Sequence, residues 1–324
     1  LNQVHFVEAG SECDLHFFFN YPAQISRLLA DEFHFSSVFA DDPAGRAAAG
    51  KLPKPDLIIN NISNGEALLA DGTQAAITQF AGSFGVPVVN DASKAVLTTR
   101  DHSASLLADL PGVIIPATGR FSKTGKTTAE LIDGIEATCD YPMITRTLDS
   151  QQGRGMTKVD DRDELIKALD SETREHFFIT QFVDSRGTDG FYRKIRAAVV
   201  GERVIVMRVD YDTHWNVHGR KSAARVAFYR NNRHLLAQED RICTNPGKEL
   251  GAGVMPTLQS IRERIPLDVF GVDFDVASDG RLVIYEANAT MSLFSAAQPD
   301  ISSPKHAHER TLAAVRDYLD GLLK

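Results

Sequence analysis

Residues 269–290 read VFGVDFDVASDGRLVIYEANAT and carry the strongest structural signal in the chain. Two runs rich in β-branched and aromatic residues flank Asp279-Gly280, a dipeptide typical of tight turns, so the stretch predicts an antiparallel hairpin. Because side chains alternate between the faces of a strand, Glu286 and Asn288 share a face, and Asp273 on the neighbouring strand can lie beside them. Two carboxylates and an amide suit Mg²⁺, which prefers oxygen ligands. The alternative is a hairpin whose acidic side chains are simply solvated.

Upstream of this hairpin, a glycine-bearing loop at residues 150–157, SQQGRGMT, closely follows Arg146. Its glycines, Gly153 and Gly155, allow backbone N–H groups to turn toward an anion, and Arg146 and Arg154 can pair with phosphate oxygens. An ordinary hairpin loop is the alternative interpretation.

A phosphate-binding P-loop is a weaker interpretation of Thr124-Gly125-Lys126-Thr127. That motif needs four residues between its glycines, whereas five separate Gly119 from Gly125. Thr127 and Glu130 fit a helix capping box instead. We therefore predict a helix N-terminus at this place.

The stretch 186–233 contains an excess of basic residues, although the whole chain has a net charge of −8. Its basic residues are Arg186, Arg193, Lys194, Arg196, Arg203, Arg208, Arg220, Lys221, Arg225, Arg230 and Arg233, and its acidic residues are Asp189, Glu202, Asp210 and Asp212. Such a local excess suits a triphosphate or an anionic substrate. A solvated sheet face is the alternative.

The same stretch contains His214-Trp215-Asn216-Val217-His218, with the only Trp of the chain. A His-x-x-x-His spacing occurs in helical zinc sites, but no Glu follows the first His and the surrounding residues predict strand and loop. We predict substrate contact by His214, Trp215 or His218, with packing at a domain seam as the alternative.

The remaining sequence predicts an order of structural units. Residues 1–90 alternate short apolar runs, including 16–19, with amphipathic segments, which predicts a parallel α/β sheet. These residues contain no G-x-G-x-x-G motif, so the sequence does not predict a dinucleotide site here. Beyond residue 177 the chain is rich in strands up to a C-terminal amphipathic helix over 309–323.

Composition excludes several classes of protein. The chain has 324 residues, 43% hydrophobic and 24% charged, which is typical of two or three compact globular units. The 43 acidic residues outnumber the 35 basic ones, which argues against nonspecific binding to nucleic acid. No apolar run is long enough for a membrane helix. The scattered Cys13, Cys139 and Cys243 predict a reducing, cytoplasmic location. Because the sequence begins at Leu1, a trimmed chain or a larger parent protein stays open.

Taken in order, these motifs resemble the ATP-grasp superfamily over essentially the whole chain. The resemblance implies α/β and α+β classes: a Rossmann-like domain at 1–92, an ATP-grasp small lobe at 93–183 and a C-terminal lobe with the metal site at 184–324. It implies ATP as the nucleotide and two Mg²⁺ ions, replaceable by Mn²⁺, on Asp273, Glu286 and Asn288. It implies further nucleotide contacts by Arg100, Arg146, Gly153, Arg154 and Gly155 at the phosphates, Gln181, Phe182 and Val183 at the adenine, and Asp184 or Asp189 at the ribose.

Segments 189–196, 214–218 and 286–291 are most similar to ATP-grasp modules found beside tetratricopeptide repeats, related to the ribosomal-protein glutamate ligase and glutathione synthetase. This similarity predicts a module of a larger repeat-containing protein, and dimers are common among the relatives. The amino-acid ligases have an Arg where this chain has Gly271, and a Pro-Gly after the Asn where this chain has Thr290-Met291-Ser292.

The resemblance implies ligation of a small-molecule or peptide carboxylate to an amine through an acylphosphate. Arg196 and Arg208, with Arg220 behind them, are the candidates for holding the carboxylate or the oxyanion, because Gly271 carries no charge. Phosphoryl transfer to a hydroxyl and nucleotide binding without turnover are the alternatives.

Overall fold

A computed structural model describes residues 3–9, 25–40, 42–62, 65–69, 72–148, 155–217, 219–220, 222–289 and 299–324. The strands are β1 Gln3–Ala9, β2 Phe33–Phe39, β3 Leu57–Asn60, β4 Val88–Val89, β5 Val113–Ile114, β6 Thr118–Ser122, β7 Met143–Thr147, β8 Met156–Val159, β9 His176–Gln181, β10 Tyr192–Val200, β11 Arg203–Asp212, β12 Val269–Val276 and β13 Leu282–Asn288. The helices are α1 Ile25–Leu28, α2 Pro43–Ala49, α3 Gly65–Leu69, α4 Thr73–Gly82, α5 Ala92–Ala95, α6 Arg100–Leu107, α7 Thr128–Glu136, α8 Arg162–Ser171, α9 Ala223–Asn231, α10 Arg233–Thr244, α11 Pro246–Leu250, α12 Val254–Arg264 and α13 Lys305–Leu322, with 3₁₀ turns at Val96–Thr98 and Pro299–Ile301. Within these ranges, no helix is both long and apolar enough to cross a bilayer.

The C-terminal sheet, in the order β11-β10-β12-β13-β5, contains the predicted hairpin. β12 and β13 pair antiparallel around a turn at Gly280, whose φ of +87° favours glycine. In their register Asp273 lies opposite Glu286, and Gly271 lies opposite Asn288. Helices α10, α12 and α13 pack against β11. The predicted hairpin is confirmed.

The second sheet, in the order β6-β9-β7-β8, is antiparallel throughout and has its own hydrophobic core. Leu131 of α7, Leu165 of α8 and Ile179 of β9 belong to that core. Helix α7 begins at the expected capping box, because Thr127 Oγ1 accepts from the Glu130 N–H at 3.3 Å while the Glu130 carboxylate accepts from the Thr127 N–H at 2.8 Å. The prediction of a helix N-terminus at the P-loop-like stretch is confirmed.

The N-terminal sheet has the order β2-β1-β3-β4 and is mixed, so the prediction of a parallel sheet was wrong for most of it. β1 runs antiparallel to both β2 and β3, whereas β3 and β4 are parallel. Alternating apolar runs predict that strands exist, but the direction of each strand depends on how the chain returns to the sheet. The predicted strand at 16–19 lies outside the described residues.

Between β11 and β12 the chain forms four consecutive helices, α9 to α12, where the sequence predicted mainly strands. Leu235 and Ile242 of α10 are buried in the main core. Arg225 on α9 and Glu239 on α10 are buried as well. These buried charged residues interrupt the apolar periodicity by which an amphipathic helix is recognised.

The N-terminal and C-terminal sheets are joined at Asn90, which follows β4 and has a φ of +54°. Its side-chain oxygen accepts from the backbone N–H groups of Asp268 and Val269, at 2.8 and 2.9 Å. Its side-chain nitrogen donates to the carbonyls of Val269 and Ala289, at 2.5 and 3.0 Å. Asn tolerates left-handed backbone, and its amide both donates and accepts, so one residue satisfies several buried groups of β12 and the segment after β13.

Replacing Asn90 by Ala removes the partners of these buried backbone groups, so N90A should lower the free energy of unfolding by about 2–4 kcal/mol. Chemical denaturation measures the loss. Asn231→Ala, at an exposed position on α9, is the matched control and should change the value by less than about 0.5 kcal/mol. Equal unfolding midpoints for the two variants would contradict the role of Asn90.

Candidate active site on a charged sheet face

Charged residues of the C-terminal sheet share one face because of strand alternation and register. Lys194 and Arg196 lie two residues apart on β10, and Arg196 lies opposite Asp273 on β12. Asp273 in turn lies opposite Glu286 on β13, and Arg208 on β11 lies opposite Arg196. Directly opposed residues of antiparallel strands point to the same side. The face therefore brings together carboxylates and cations from four neighbouring strands.

Asp273 is held by Arg196 through two hydrogen bonds. Arg196 Nε donates to Oδ1 at 2.7 Å and Nη2 donates to Oδ2 at 2.8 Å, while Lys194 Nζ lies 3.9 Å from Oδ2. Asp273 is only 3% exposed. Burial by itself raises the pKa of this carboxyl group, but the charge of Arg196 outweighs burial and lowers the pKa to about 2. Asp273 is therefore ionised at neutral pH.

Glu286 is held by cations from two other elements. Arg100 Nη2, at the first residue of α6, donates to Glu286 Oε1 at 2.8 Å, and Asn288 Nδ2 donates to the same oxygen at 3.1 Å. Burial raises the pKa of Glu286, but the charges of Arg100 and Arg146 bring it below its ordinary value. Burial and the charge of Arg100 lower the pKa of Arg146 to about 10. The four residues Arg100, Arg146, Glu286 and Asn288 thus meet where the second sheet faces the C-terminal one.

The oxygen atoms of this face fit a divalent cation. In the described part of the chain no group of three His, Cys, Asp or Glu side chains could hold a metal ion. The predicted donors are the carboxylates of Asp273 and Glu286 together with the amide of Asn288. Both carboxyl pKa values lie below the ordinary range. Mg²⁺ is usually bound by one or two carboxylates together with substrate phosphates. The donor set therefore fits Mg²⁺, or Mn²⁺ in its place, carried by a nucleotide.

Arg208 and Arg220 belong to a buried ionic network at the edge of that face. Arg208 Nε lies 2.9 Å from Asp210 Oδ2, and Arg220 Nε lies 3.4 Å from Asp210 Oδ1. Arg220 Nη2 lies 2.6 Å from Glu239 Oε2 on α10, and the guanidinium also donates to two main-chain carbonyls. Arg220 is only 2% exposed. Arg208 and Arg220 thus share the Asp210 carboxylate, and Arg220 is the more deeply buried of the two.

The predicted adenine hinge, Gln181 to Val183, continues the end of β9. The backbone N–H groups of Gln181 and Phe182 donate to carbonyls of the same lobe, at 2.8 Å each. These bonds attach the start of the hinge to the second sheet.

Aromatic residues from both lobes meet at the hinge. The Phe182 ring lies 6.0 Å from the Trp215 ring in an edge-to-face arrangement, and Lys158 Nζ lies 4.9 Å from the Phe182 ring centre. The His214 ring lies 5.3 Å from Trp215. The residues predicted to contact the substrate, His214 and Trp215, are therefore placed beside the adenine hinge.

Other predicted site residues are less informative. Gly155 precedes β8 with a φ of +64°, a conformation that favours glycine. Gly153, Arg154 and His218 lie outside the described residues.

Asp189, one of two candidates for the ribose, is engaged locally. Its carboxylate pairs with Arg193 and accepts from the Phe191 N–H at 3.2 Å. The Asp184 carboxylate accepts from the Arg186 N–H at 3.1 Å. Neither contact places one of these acids at the charged face.

Sequence reasoning missed two features of the site. Lys194 beside Asp273 could have been found from its alternation with Arg196 along one strand. Arg120 on β6 donates to Glu66 Oε1 on α3 at 2.7 Å and lies 3.2 Å from Asp101 Oδ2, beside Arg100. No local pattern connects these three residues, because they come from separate elements.

Two lobes that face each other across ionised carboxylates and guanidinium groups are the arrangement expected of an ATP-grasp fold. Residues 98–228 match the protein family described as RimK-like ATP-grasp domain. The predicted ATP-grasp class is therefore confirmed over these residues.

Solved structures of similar fold span most of the chain. VanG D-Ala:D-Ser ligase from Enterococcus faecalis has a TM-score of 0.54 and 19% sequence identity, covering 90% of this chain and 80% of that one. D-alanine–D-alanine ligase from Bacillus anthracis has a TM-score of 0.51 and 12% identity, covering 86% and 84%. The Coxiella burnetii D-alanine-D-alanine ligase has a TM-score of 0.50 and 11% identity, covering 85% and 70%. At these identities the likeness concerns the fold, and no curated protein matches the chain by sequence.

Removing one member of the buried ionic network should destabilise the protein strongly. Glu239→Ala removes the shorter of the two carboxylate contacts of the buried Arg220 and leaves only the longer one to Asp210, so we expect a loss of about 3–5 kcal/mol in the free energy of unfolding. The control is Asp317→Ala, which removes a solvent-exposed ion pair with Arg203 and should cost about 1 kcal/mol or less. If both variants unfold at the same denaturant concentration, the network is not a structural support.

Proposed function

We propose that the protein is an ATP-dependent carboxylate–amine ligase that forms an amide through an acylphosphate. The observation that carries the proposal is the meeting of Asp273, Glu286 and Asn288 with Arg100 and Arg146 between the two lobes of an ATP-grasp fold. Ligase names among the structures of similar fold agree with it.

The proposed reaction has two steps. A carboxylate oxygen of the first substrate attacks the γ-phosphorus of ATP, and ADP leaves with the electrons of the broken P–O bond. The amine of the second substrate then attacks the acyl carbon of the acylphosphate, the C–O bond to phosphate breaks as the C–N bond forms, and the proton lost by the nitrogen leaves with the inorganic phosphate. The charges that must be held are those of the phosphates and of the oxyanion on the acyl carbon.

The arginines are assigned to these charges by position. Arg100 and Arg146 lie where the second sheet meets Glu286, and we assign them to the ATP phosphates. Arg196 and Arg208 lie opposite each other on β10 and β11, and we assign them to the substrate carboxylate and the oxyanion. The amino-acid ligases have an Arg at the position of Gly271, and this assignment gives the role of its positive charge to Arg196 and Arg208.

The remaining groups orient the nucleotide and exclude water. Mg²⁺ on Asp273, Glu286 and Asn288 would neutralise charge on the β- and γ-phosphates. Residues 181–183 are assigned to the adenine, with Trp215 beside them, and the glycine-bearing loop at 150–157 is assigned to the phosphates. Water exclusion matters because an acylphosphate hydrolyses readily.

Phosphoryl transfer to a hydroxyl is the second candidate. It is favoured because Gly271 stands where the amino-acid ligases have an Arg, and by the excess of basic residues over 186–233. It would leave a stable phosphorylated product. The ligase proposal instead requires an activated acyl group that hydroxylamine can intercept.

Glu286→Gln should reduce ADP formation at least 100-fold, because it removes one charge from the metal site without changing side-chain volume. The assay measures ADP with Mg-ATP, pooled carboxylates and hydroxylamine, and detects hydroxamates by mass spectrometry. Asp279→Asn, at the exposed turn of the same hairpin, is the matched control and should retain full activity.

The outcomes of this assay separate the candidate functions. Hydroxamate formation supports ligation, and ADP with a phosphorylated product but no hydroxamate supports phosphoryl transfer. Full turnover by the Glu286 variant would contradict the metal assignment. Tight ATP binding without ADP release would indicate a binding module.

Because Trp215 is the only Trp of the chain, its fluorescence should report nucleotide binding. We expect Mg-ATP to change the emission intensity of the protein, since Trp215 contacts the Phe182 ring at the hinge. A second test uses Phe182→Leu, which removes the ring beside Trp215. This variant should bind ATP more weakly than the wild-type protein when binding is measured by calorimetry. A saturating ATP concentration that leaves the emission unchanged would place the adenine elsewhere.

A further inference from the structure

Both carboxylates assigned to the metal are already ion-paired with guanidinium groups. Arg196 binds both oxygens of Asp273, at 2.7 and 2.8 Å, and Arg100 binds Glu286 Oε1 at 2.8 Å. The side chains of Arg196 and Asp273 are largely buried, so their attraction is only weakly screened by solvent. These pairs let the charged face exist without a bound cation.

A divalent cation on Asp273 would need the oxygens that Arg196 holds. The cation and the guanidinium would then stand on the same small carboxylate, and their positive charges would repel each other in a poorly screened environment. Lys194 Nζ, 3.9 Å from Asp273 Oδ2, adds to this repulsion. Metal binding therefore favours departure of Arg196 from Asp273.

A second partner of Arg196 would lie on the side of Arg208. Arg208 lies directly opposite Arg196 in the register of β10 and β11. Burial lowers the pKa of Arg208, and the charge of Arg196 adds to that effect although Asp210 opposes it. A carboxylate between the two guanidinium groups would relieve this repulsion, and the planar guanidinium binds carboxylate through two hydrogen bonds.

We propose that Arg196 exchanges partners. It binds Asp273 when the metal is absent, and when the metal is present it binds the carboxylate of the first substrate, which accepts the phosphoryl group and is called the acceptor here. This inference rests on the proposed function, since it takes Asp273 as a metal ligand. The exchange makes metal binding and acceptor binding mutually favourable, because each removes a competitor of the other. The acceptor would then enter after the metal–nucleotide complex, when an acylphosphate can form.

The exchange has an unusual consequence that separates it from a supporting role for Arg196. If Arg196 competes with the metal, Arg196→Gln should bind Mn²⁺ more tightly than the wild-type protein, by roughly tenfold. If Arg196 only orients Asp273, the same variant should bind Mn²⁺ more weakly. The measurement is a titration of the nucleotide-free protein with Mn²⁺, with free Mn²⁺ read by electron paramagnetic resonance.

Matched variants distinguish failure of the exchange from failure of the proposed function. Arg203→Gln removes an exposed Arg on the neighbouring strand and should leave the Mn²⁺ affinity unchanged. Asp273→Asn should abolish binding, and equal affinities of this variant and the wild type would overturn the metal site itself. If Asp273→Asn loses Mn²⁺ binding while Arg196→Gln binds equally or more weakly than wild type, only the exchange is overturned.

A second substitution covers the case in which Arg196→Gln does not fold. Arg196→Lys keeps the charge but has a single ammonium group, which cannot hold both oxygens of Asp273 in the same way. Its Mn²⁺ affinity should lie between those of the wild type and the Gln variant. An affinity at or below the wild-type value would contradict the exchange.

Discussion

The ion pair between Arg196 and Asp273 is the interaction on which the rest of the charged face depends. A carboxylate buried to this extent is stable only when a cation compensates its charge, and the cross-strand register of β10 and β12 supplies that cation. The same register places Glu286 one strand further on, where Arg100 from α6 compensates it. An acidic chain thus carries a compact set of cations at one place, because its buried acids require them.

The face is also held in position from behind. Asp210 and Glu239 neutralise Arg208 and Arg220, so that α10 is tied to β11 by charge as well as by apolar packing. Asn90 joins the N-terminal sheet to β12, the strand that carries Asp273. A buried ionic network stores no large net energy, since desolvation offsets most of the attraction, but it allows few alternative arrangements of its members.

Local patterns explain which parts of the structure were predictable. The hairpin with its Asp279-Gly280 turn and the capping box at Thr127 each depend on residues close together in sequence, and both were predicted. The helices over 223–264 were missed, because Arg225 and Glu239 are buried in ion pairs with distant partners. In the sequence alone, charged residues such as these indicate a solvent-exposed surface, because their ion-pair partners are not apparent. The binding roles assigned to the site residues, and the three domain boundaries, stay predictions.

By itself the sequence determined the strand pair that carries Asp273, Glu286 and Asn288, since alternation and one turn are enough to place three side chains on a common face. Its motifs, taken in order, also resemble those of the ATP-grasp superfamily. The tertiary structure alone decided the direction of the N-terminal strands, the location of Trp215 at the hinge and the pairing of Arg196, Arg100 and Arg120 with their acids. The physical reason is that backbone periodicity acts over a few residues, whereas each of these features requires elements distant in sequence to pack and compensate one another's charge.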